Sequence, residues 1–307
     1  MAELTKTQKK ALLDLGPWHF KIKVSDTEYT TDFNTTKISL IDPSNLTNLL
    51  RRIYPQGRLD GKTFLDAGCN GGGYCMTAFS RGAKEVFGFD VRDHWINQAN
   101  YLRDHIFKYP KSKVKFKTTH LEDLSEDKKY DVTLFKGVLY HLPDPIAAIK
   151  KLCTVTNEVM IIDTAGSVDA PENCLELYFE KPGALMNGVD NLAWLPGGPK
   201  VVGDMCHWMG FKEYRVINQD NVYQPNGYTT KFMRFRIIAA RHQRYLNRYD
   251  RIIKERGEVK GAAPEFSKST GSSKKITPKS PGSKLKKGST SKSETSTSNS
   301  KKSSTKK

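Results

Sequence analysis

The stretch that decides the fold is KTFLDAGCNGGGYCMTAFSRGAKEVFGFD, residues 62–90. It begins with a short apolar strand, passes through a glycine-rich turn into a helix, and ends with an apolar strand over residues 86–89. A glycine-rich turn lets the backbone approach a ligand closely, because no side chain stands in the way. The stretch therefore predicts a strand–turn–helix–strand unit that binds a ligand at the turn.

The residues around this turn indicate which ligand it binds. Gly68, Asn70 and Gly72 alternate through the turn, and Asp66 precedes it. Asn is tolerated at positive φ better than most residues, so it can stand where a glycine is usual. Asp66 would repel a pyrophosphate but suit a positively charged amino-acid end, and Asp90 can accept hydrogen bonds from ribose hydroxyls. The pattern favours S-adenosylmethionine over NAD, and a tight β–α turn without a ligand is the alternative.

The rest of the chain alternates strands and helices. Further strands are predicted at residues 114–118, 131–135, 158–163, 211–218 and 231–240, and helices at 94–108, 145–153 and 200–209. The last two strands are too close in sequence for a crossover helix and should be antiparallel. We predict an α/β fold with a doubly wound, Rossmann-like sheet of seven strands, the last one antiparallel. Residues 171–199 are predicted to be irregular and to cover the acceptor pocket.

Composition divides the chain into four segments. Residues 1–57 are predicted to form an N-terminal extension or lid, 58–240 the S-adenosylmethionine-binding domain, 241–263 a basic helix that packs its apolar face, and 264–307 a disordered tail. The formal net charge is +17, and the last 43 residues carry 12 lysines and two acids. Such a tail can bind nucleic acid or another polyanion, or act only as a solubilising appendage.

Several classes of protein are disfavoured by the sequence. The five cysteines form no C-x-x-C pair, which argues against a metal site and favours reduced thiols in an intracellular, cytoplasmic setting. No apolar run approaches the length of a membrane span. We therefore expect a protein without a metal or a membrane-spanning helix.

Polar residues gather where the predicted strands end. Parallel sheets of this type bind ligands beyond the carboxyl ends of their strands. The residues predicted at that edge are Asp66, Asp90, Glu122, Asp123, Lys136, Tyr140 and His141. Glu122 or Asp123 could accept the exocyclic amine of adenine, or either could be a loop acid that faces water. This convergence predicts the ligand site.

Three motifs resemble a known family. Asp66-Ala-Gly68-Cys-Asn70-Gly-Gly72, Phe89-Asp90 and the segment GVLYHL at 137–142 are similar to class I S-adenosylmethionine-dependent methyltransferases. The most similar branch is that of the tRNA wobble-uridine 5-oxyacetic acid methyltransferases, which residues 17–19 and 194–196 also resemble. The resemblance implies that the turn and Asp66 hold the methionine moiety and that Asp90 holds the ribose. It also implies that an acid at 122–123 holds the adenine.

The same resemblance places Tyr140 and His141 beside the transferring methyl group. His141 is the first candidate for a general base, because an ordinary imidazole titrates at about pH 6.5. A structural role for His141, capping backbone groups after the strand, is the alternative. His19 is a second candidate base, and Trp18 and Phe20 beside it form either a pocket wall or an anchor. Lys136 is counted with the cofactor-binding residues, although it does not decide whether the donor carries a carboxylate.

Three functions follow from these expectations. The first is O-methylation of a polar acceptor such as a sugar or another small molecule. The second is methyl transfer to a modified uridine in tRNA, with the basic segments holding phosphates. The third is a non-catalytic S-adenosylmethionine-binding adaptor.

Overall fold

The fold is built on one seven-stranded sheet. The computed structural model describes residues 2–36, 41–180, 182–183, 185–219, 222 and 231–255. The strands of this sheet are β1 (Thr63–Ala67), β2 (Glu85–Asp90), β3 (Val114–Thr118), β4 (Tyr130–Lys136), β5 (Thr156–Ser167), β8 (Glu213–Gln219) and β9 (Phe232–Ala240). Their order is β3-β2-β1-β4-β5-β9-β8, and only β9 runs antiparallel to its neighbours. The predicted sheet with an inverted last strand is confirmed.

Helices cover both faces of the sheet. They are α1 (Lys6–Asp14), α2 (Asn45–Ile53), α3 (Gly73–Ser80), α4 (Asp93–Tyr101), α5 (Pro145–Val155), α6 (Pro199–Trp208) and α7 (Gln243–Glu255). Strand residues alternate between two cores: Ile161 packs in the core that includes α2, α3 and α7, and Ile162 packs in the core that includes α5 and α6. Because successive side chains of a strand point to opposite faces, this alternation gives the doubly wound arrangement.

The N-terminal extension belongs to the core on the α2 and α3 side. Trp18 is fully buried, and its Nε1–H donates a hydrogen bond to the carbonyl oxygen of Leu12 at 2.7 Å. The ring of Phe20 packs edge-on against Tyr74 at 5.2 Å. Trp18 therefore anchors the extension in the core, whereas Phe20 packs beside the glycine-rich turn and, with His19, lines a cavity at the edge of the sheet.

The structure differs from the prediction in two elements. Residues 171–199 are not irregular throughout, because β6 (Leu175–Phe179) and β7 (Leu192–Pro196) pair there as an antiparallel hairpin. The helix predicted over 94–108 ends as an α-helix at Tyr101 and continues as a π-helix, Leu102–Phe107. The hairpin was missed because its pattern is inverted: Leu177 and Phe179 are exposed, whereas Glu180 is buried.

The C-terminal helix packs as predicted. Tyr245, Leu246, Tyr249 and Ile253 are buried along one side of α7. The predicted end of the basic helix and the whole predicted tail, residues 256–307, lie outside the described residues. None of the helices in the described ranges is long and apolar enough to cross a membrane.

Candidate active site

A cavity of about 500 Å³ opens at the carboxyl edge of the sheet. Its wall includes the turn after β1, the ends of β2 and β4, Asp163 within β5, part of β9, and residues 185–190. The predicted site residues that the structure brings together on this wall are His19, Gly68, Asn70, Asp90, Glu122, Lys136, Tyr140 and His141. Residues that are distant in sequence therefore meet at the edge where ligands of such sheets bind.

The other three predicted residues do not line the cavity. Asp66 is buried beneath the turn, with 1 % of its surface exposed. Gly72 precedes α3 with φ +76°, and a Cβ there would lie 2.8 Å from Ala99 Cβ. Asp123 is exposed in the loop after β3. Gly72 thus allows the close packing of the turn. Of the two acidic residues predicted in the loop after β3, Glu122 is the one that lines the cavity.

Asp90 holds the turn in place while it faces the cavity. Its Oδ2 accepts a hydrogen bond from the Asn70 N–H at 3.0 Å, and its Oδ1 accepts one from the Arg92 N–H at 3.1 Å. Burial raises the pKa of Asp90, and these two backbone donors oppose that rise. Each carboxylate oxygen has a second lone pair, so Asp90 can still accept hydrogen bonds from a ligand.

Glycine is required at position 68 both by the backbone angle and by a close contact with Val138 in the segment after β4. Its φ is +78°, and a Cβ there would lie 2.2 Å from Val138 Cγ2. Gly61 has a similar φ of +75° but nothing within 4 Å of an added Cβ. The two glycines therefore separate the cost of the backbone angle from the cost of the contact.

Replacing Gly68 with alanine is expected to destabilise the fold more than replacing Gly61. Both substitutions carry the strain of a left-handed backbone, on the order of 1–3 kcal/mol, and Gly68→Ala adds an overlap that costs about 1–3 kcal/mol more. Urea unfolding of the two variants measures the difference. Equal losses of unfolding free energy would show that the contact with Val138 is not tight.

Asp66 carries a shifted pKa that follows from its position. Burial raises its pKa to about 8, the nearby carboxylate of Asp90 adds to the rise, and the Cys75 thiol within 3.9 Å partly opposes it. Asp66 is therefore largely protonated below that pH in the ligand-free protein. The predicted role of Asp66, contact with the positively charged amino-acid end of the cofactor, depended on a charged carboxylate. The carboxyl group beneath the turn is instead neutral in the ligand-free protein.

This shift predicts a pH-dependent effect of Asp66→Asn on stability. Because the folded chain binds the proton more tightly than the unfolded chain, Asp66 lowers stability as the pH rises from about 4 to 8. Relative to wild type, the variant should therefore gain at least about 1 kcal/mol of unfolding free energy between pH 5 and pH 8. Urea unfolding of the ligand-free proteins measures this gain, with exposed Asp123→Asn as control. A gain independent of pH would contradict the shift.

A buried charge cluster forms part of the cavity wall. Asp163, at 5 % side-chain exposure, lies 2.6 Å from Lys136 Nζ through Oδ2 and 2.9 Å from Arg234 Nη2 through Oδ1. Arg236 Nε donates to Oδ2 at 2.8 Å. Burial raises the pKa of Asp163, but the three cations more than offset this and hold it well below its usual range. With three cations around one carboxylate, this wall is net positive.

A histidine–carboxylate pair lies on the same cavity. His141 Nδ1 is 2.6 Å from Glu180 Oε1, and the Tyr140 ring centroid lies 4.0 Å from that of His141. His19, the other predicted base, contacts Thr36 Oγ1 at 3.3 Å, and burial, together with Lys136, lowers its pKa. Of the two histidines, His141 is the one with a carboxylate partner among the described residues.

Sequence reasoning missed Asp163, Glu180, Arg234 and Arg236. Asp163 ends a predicted strand at the edge already chosen for the ligand, so that rule could have included it. Arg234 and Arg236 are two apart on β9, and this spacing puts them on one face of the strand. No comparable signal identified Glu180, because its hairpin was not predicted. Within the described ranges, no group of three or more His, Cys, Asp or Glu side chains could hold a metal ion.

Comparisons with known proteins agree with this architecture. A family model described as a methyltransferase domain matches residues 59–223, more than half of the chain. The chain belongs to this methyltransferase family. The membership predicted from the sequence motifs, in the class I S-adenosylmethionine-dependent methyltransferases, is confirmed.

Its similar relatives share only part of their length with it. The tRNA U34 carboxymethyltransferase of Colwellia psychrerythraea is 29 % identical over 210 residues, 67 % of this chain and 57 % of the relative. That of Nautilia profundicola is 35 % identical over 115 residues, 36 % of this chain and 37 % of the relative. The chain thus spans little more than half of the Colwellia protein.

A solved structure shares the fold. The N-terminal domain of EvdMO1, crystallised in the presence of SAH and D-fucose, aligns with a TM-score of 0.61 at 14 % identity. The alignment covers 76 % of this chain and 94 % of that domain. At this identity the similarity supports the fold alone.

Proposed function

We propose that this chain is an S-adenosylmethionine-dependent methyltransferase that alkylates an oxygen atom of a polar acceptor. The observation that carries the proposal is the position of Asp90 and His141 on the wall of one cavity. One is a carboxylate suited to ribose hydroxyls, and the other is an imidazole suited to proton removal.

The residues present fit S-adenosylmethionine. The cavity volume of about 500 Å³ lies within the range of small-molecule sites. Gly68 and Asn70 bring backbone to the wall, Asp90 keeps lone pairs for hydroxyls, and Glu122 on the same wall offers an acceptor for the adenine amine. When bound, the cofactor supplies a methyl carbon already activated by a sulfonium. The protein's task is then to position the acceptor and manage its proton.

Methylation of a sugar or another small polar molecule is the first candidate. Charged and hydrogen-bonding side chains suited to a polar acceptor line the cavity, including Lys136, Tyr140 and Arg234. Arg234 Nη1 donates to Tyr140 Oη at 3.4 Å, which sets the orientation of both groups. The EvdMO1 domain crystallised with D-fucose supports this candidate through fold similarity only.

Carboxymethyl transfer to tRNA is the second candidate. The relatives of this chain are named tRNA U34 carboxymethyltransferases, and a carboxymethyl group carries a carboxylate that needs cations beside it. Lys136 alone would be a weak basis for such a donor. Arg234 and Arg236 beside it give the cavity a net positive wall that could hold the carboxylate.

Labelled donors separate the candidates. We would incubate the full chain with methyl-labelled S-adenosylmethionine, or with the donor carboxylated on its transferred carbon. The acceptors would be D-fucose and an anticodon stem–loop RNA with 5-hydroxyuridine at position 34. Transfer from the simple donor to the sugar supports the first candidate, and transfer to RNA from the carboxylated donor supports the second. Cofactor binding without transfer to either acceptor would contradict the proposal and favour a non-catalytic adaptor.

A further inference from the structure

Glu180 is fixed on both of its carboxylate oxygens. It follows β6, and its side chain is 4 % exposed. Oε1 lies 2.6 Å from Nδ1 of His141, and Oε2 accepts a hydrogen bond from the backbone N–H of Gly188 at 2.6 Å. A carboxylate held at two points cannot rotate away from the imidazole, so the orientation of the ring is fixed as well.

This contact determines which nitrogen of His141 carries the proton. An ionised carboxylate only accepts hydrogen bonds, so Nδ1 must be the donor. In the neutral ring, Nε2 is then left with its lone pair. No residue in the described part of the chain bonds to Nε2, and His141 lines the cavity. A neutral imidazole oriented by a carboxylate is the arrangement that enzymes use for a general base.

We infer that Glu180 is a positioning residue that holds His141 as a general base, and that the acceptor group is a hydroxyl. The inference rests on the proposed methyltransferase function and narrows its substrate class. An amine attacks through its own lone pair without prior loss of a proton, whereas an alcohol must lose a proton as it is alkylated. A base held in one tautomer matches the second case.

The proposed step conserves atoms and charge. As the acceptor oxygen attacks the methyl carbon, Nε2 of His141 takes the hydroxyl proton. The new O–C bond forms while the C–S bond breaks, and its electron pair stays on sulfur in the thioether product. Glu180 remains ionised and stabilises the imidazolium, which then returns its proton to solvent.

Other charged groups also face this cavity and contribute to its pH response. From the N-terminal extension and the first three strands, they are His19, Asp90 and Arg92 at the end of β2, and His120 and Glu122 in the loop after β3. From the rest of the chain, they are Lys136 in β4, Tyr140 in the turn that holds His141, Asp163 in β5, Asp190 in the segment before β7, and Arg234 and Arg236 in β9. Glu180 alone among the described carboxylates contacts the His141 ring within hydrogen-bond distance. Its removal should therefore have a distinct effect on pH dependence.

Glu180→Gln and His141→Asn test the inference. The activity probe is whichever of D-fucose and the 5-hydroxyuridine RNA accepts label from wild type. We expect His141→Asn to lower kcat by roughly 10²- to 10⁴-fold. Glu180→Gln should lower it by about tenfold or more and move the acidic limb of the pH–rate profile to lower pH, because a neutral amide stabilises the imidazolium less. Once His141 is replaced, adding Glu180→Gln should cause little further loss.

Controls and a second measurement keep the result decisive. Glu126→Gln and His105→Asn, both at exposed positions, should leave kcat unchanged. Calorimetry with S-adenosylhomocysteine checks that each variant still binds the product, and Glu180→Asp should restore part of the activity. Nitrogen NMR of the histidines should show the Nδ1–H tautomer at His141 in wild type and a mixture in Glu180→Gln.

Each outcome decides either the inference or the proposed function. Losses that multiply in the double variant, an unchanged pH profile, or an Nε2–H tautomer in wild type would overturn the role of Glu180. If wild type transfers label to neither probe, the proposed function fails, and the NMR result still decides whether Glu180 orients the imidazole.

Discussion

Replacing Asp163 with alanine is expected to lower the free energy of unfolding by about 3–5 kcal/mol, the cost of leaving buried charges without their partner. Asp163 contacts Lys136, Arg234 and Arg236, so its loss leaves three cations facing one another at a buried site. Urea unfolding at neutral pH measures the effect. Asp14→Ala is the matched control: Asp14 pairs with Lys10 at the surface with 58 % side-chain exposure, and its loss should cost less than about 1 kcal/mol.

The same cluster should make the free energy of unfolding depend on pH in the acidic range. The pKa of Asp163 is lowered in the fold, so its contribution is present above the unfolded pKa of about 3.9 and is lost as the pH falls below that value. Wild type and Asp163→Ala should therefore converge in stability toward low pH. A constant difference between them from pH 7 to pH 3 would contradict the ion-pair origin of the effect.

Asp90→Ala should weaken binding of S-adenosylhomocysteine by about a hundredfold or more. Two hydrogen bonds from ribose hydroxyls to a carboxylate contribute about 1.5 kcal/mol each, and 1.4 kcal/mol corresponds to a tenfold change in Kd. The loss should be larger if the turn also loosens, because Asp90 accepts the Asn70 N–H. Isothermal titration calorimetry measures the change.

Glu85→Gln is the control for this prediction. Glu85 begins the same strand, and its carboxylate pairs with Lys115 and Lys128 away from the cavity. Its replacement should leave the Kd for S-adenosylhomocysteine within about twofold of wild type, because Glu85 does not line the cavity. Unaltered affinity in Asp90→Ala would remove the basis for placing the ribose at β2.

Most of the fold could be predicted because it depends on local patterns. Apolar runs of strand length, separated by helices, identified the seven strands of the main sheet. The inverted β9 followed from the short connection before it. Because ligands of such sheets bind beyond the carboxyl ends of the strands, Asp90, Lys136 and His141 could be predicted to lie together before any contact was known.

The charge cluster could not be predicted, because it depends on register between strands. Asp163 lies directly opposite Arg236 in the antiparallel pair of β5 and β9. Alternation along β9 predicts that Arg234 and Arg236 share a face, but it does not predict which residue of β5 each arginine opposes. Sequence spacing therefore predicted one cation at the site, Lys136. The other two, Arg234 and Arg236, reach it because of the strand register.

Glu180 and Asp66 show a different limit of the sequence patterns. Glu180 is polar and buried, whereas Leu177 and Phe179 just before it are exposed, so hydrophobic alternation predicts the wrong side for these residues. Asp66 was placed correctly in sequence, at the end of β1, but burial beneath the turn changes its charge. The charge state of Asp66 and the burial of Glu180 both depend on tertiary packing, which a local sequence pattern does not contain.

The hairpin of β6 and β7 is packed separately from the two main cores, although its connecting segment lines the cavity. Leu195 of the hairpin packs in a small separate cluster with Ala165 and Phe232, apart from the two cores that hold the main sheet. Residues 185–190 on the cavity wall and Glu180, which contacts His141, belong to this one interval of the chain. Exchange of this single interval between β5 and α6 would therefore alter one part of the cavity wall and leave Gly68, Asn70 and Asp90 in place.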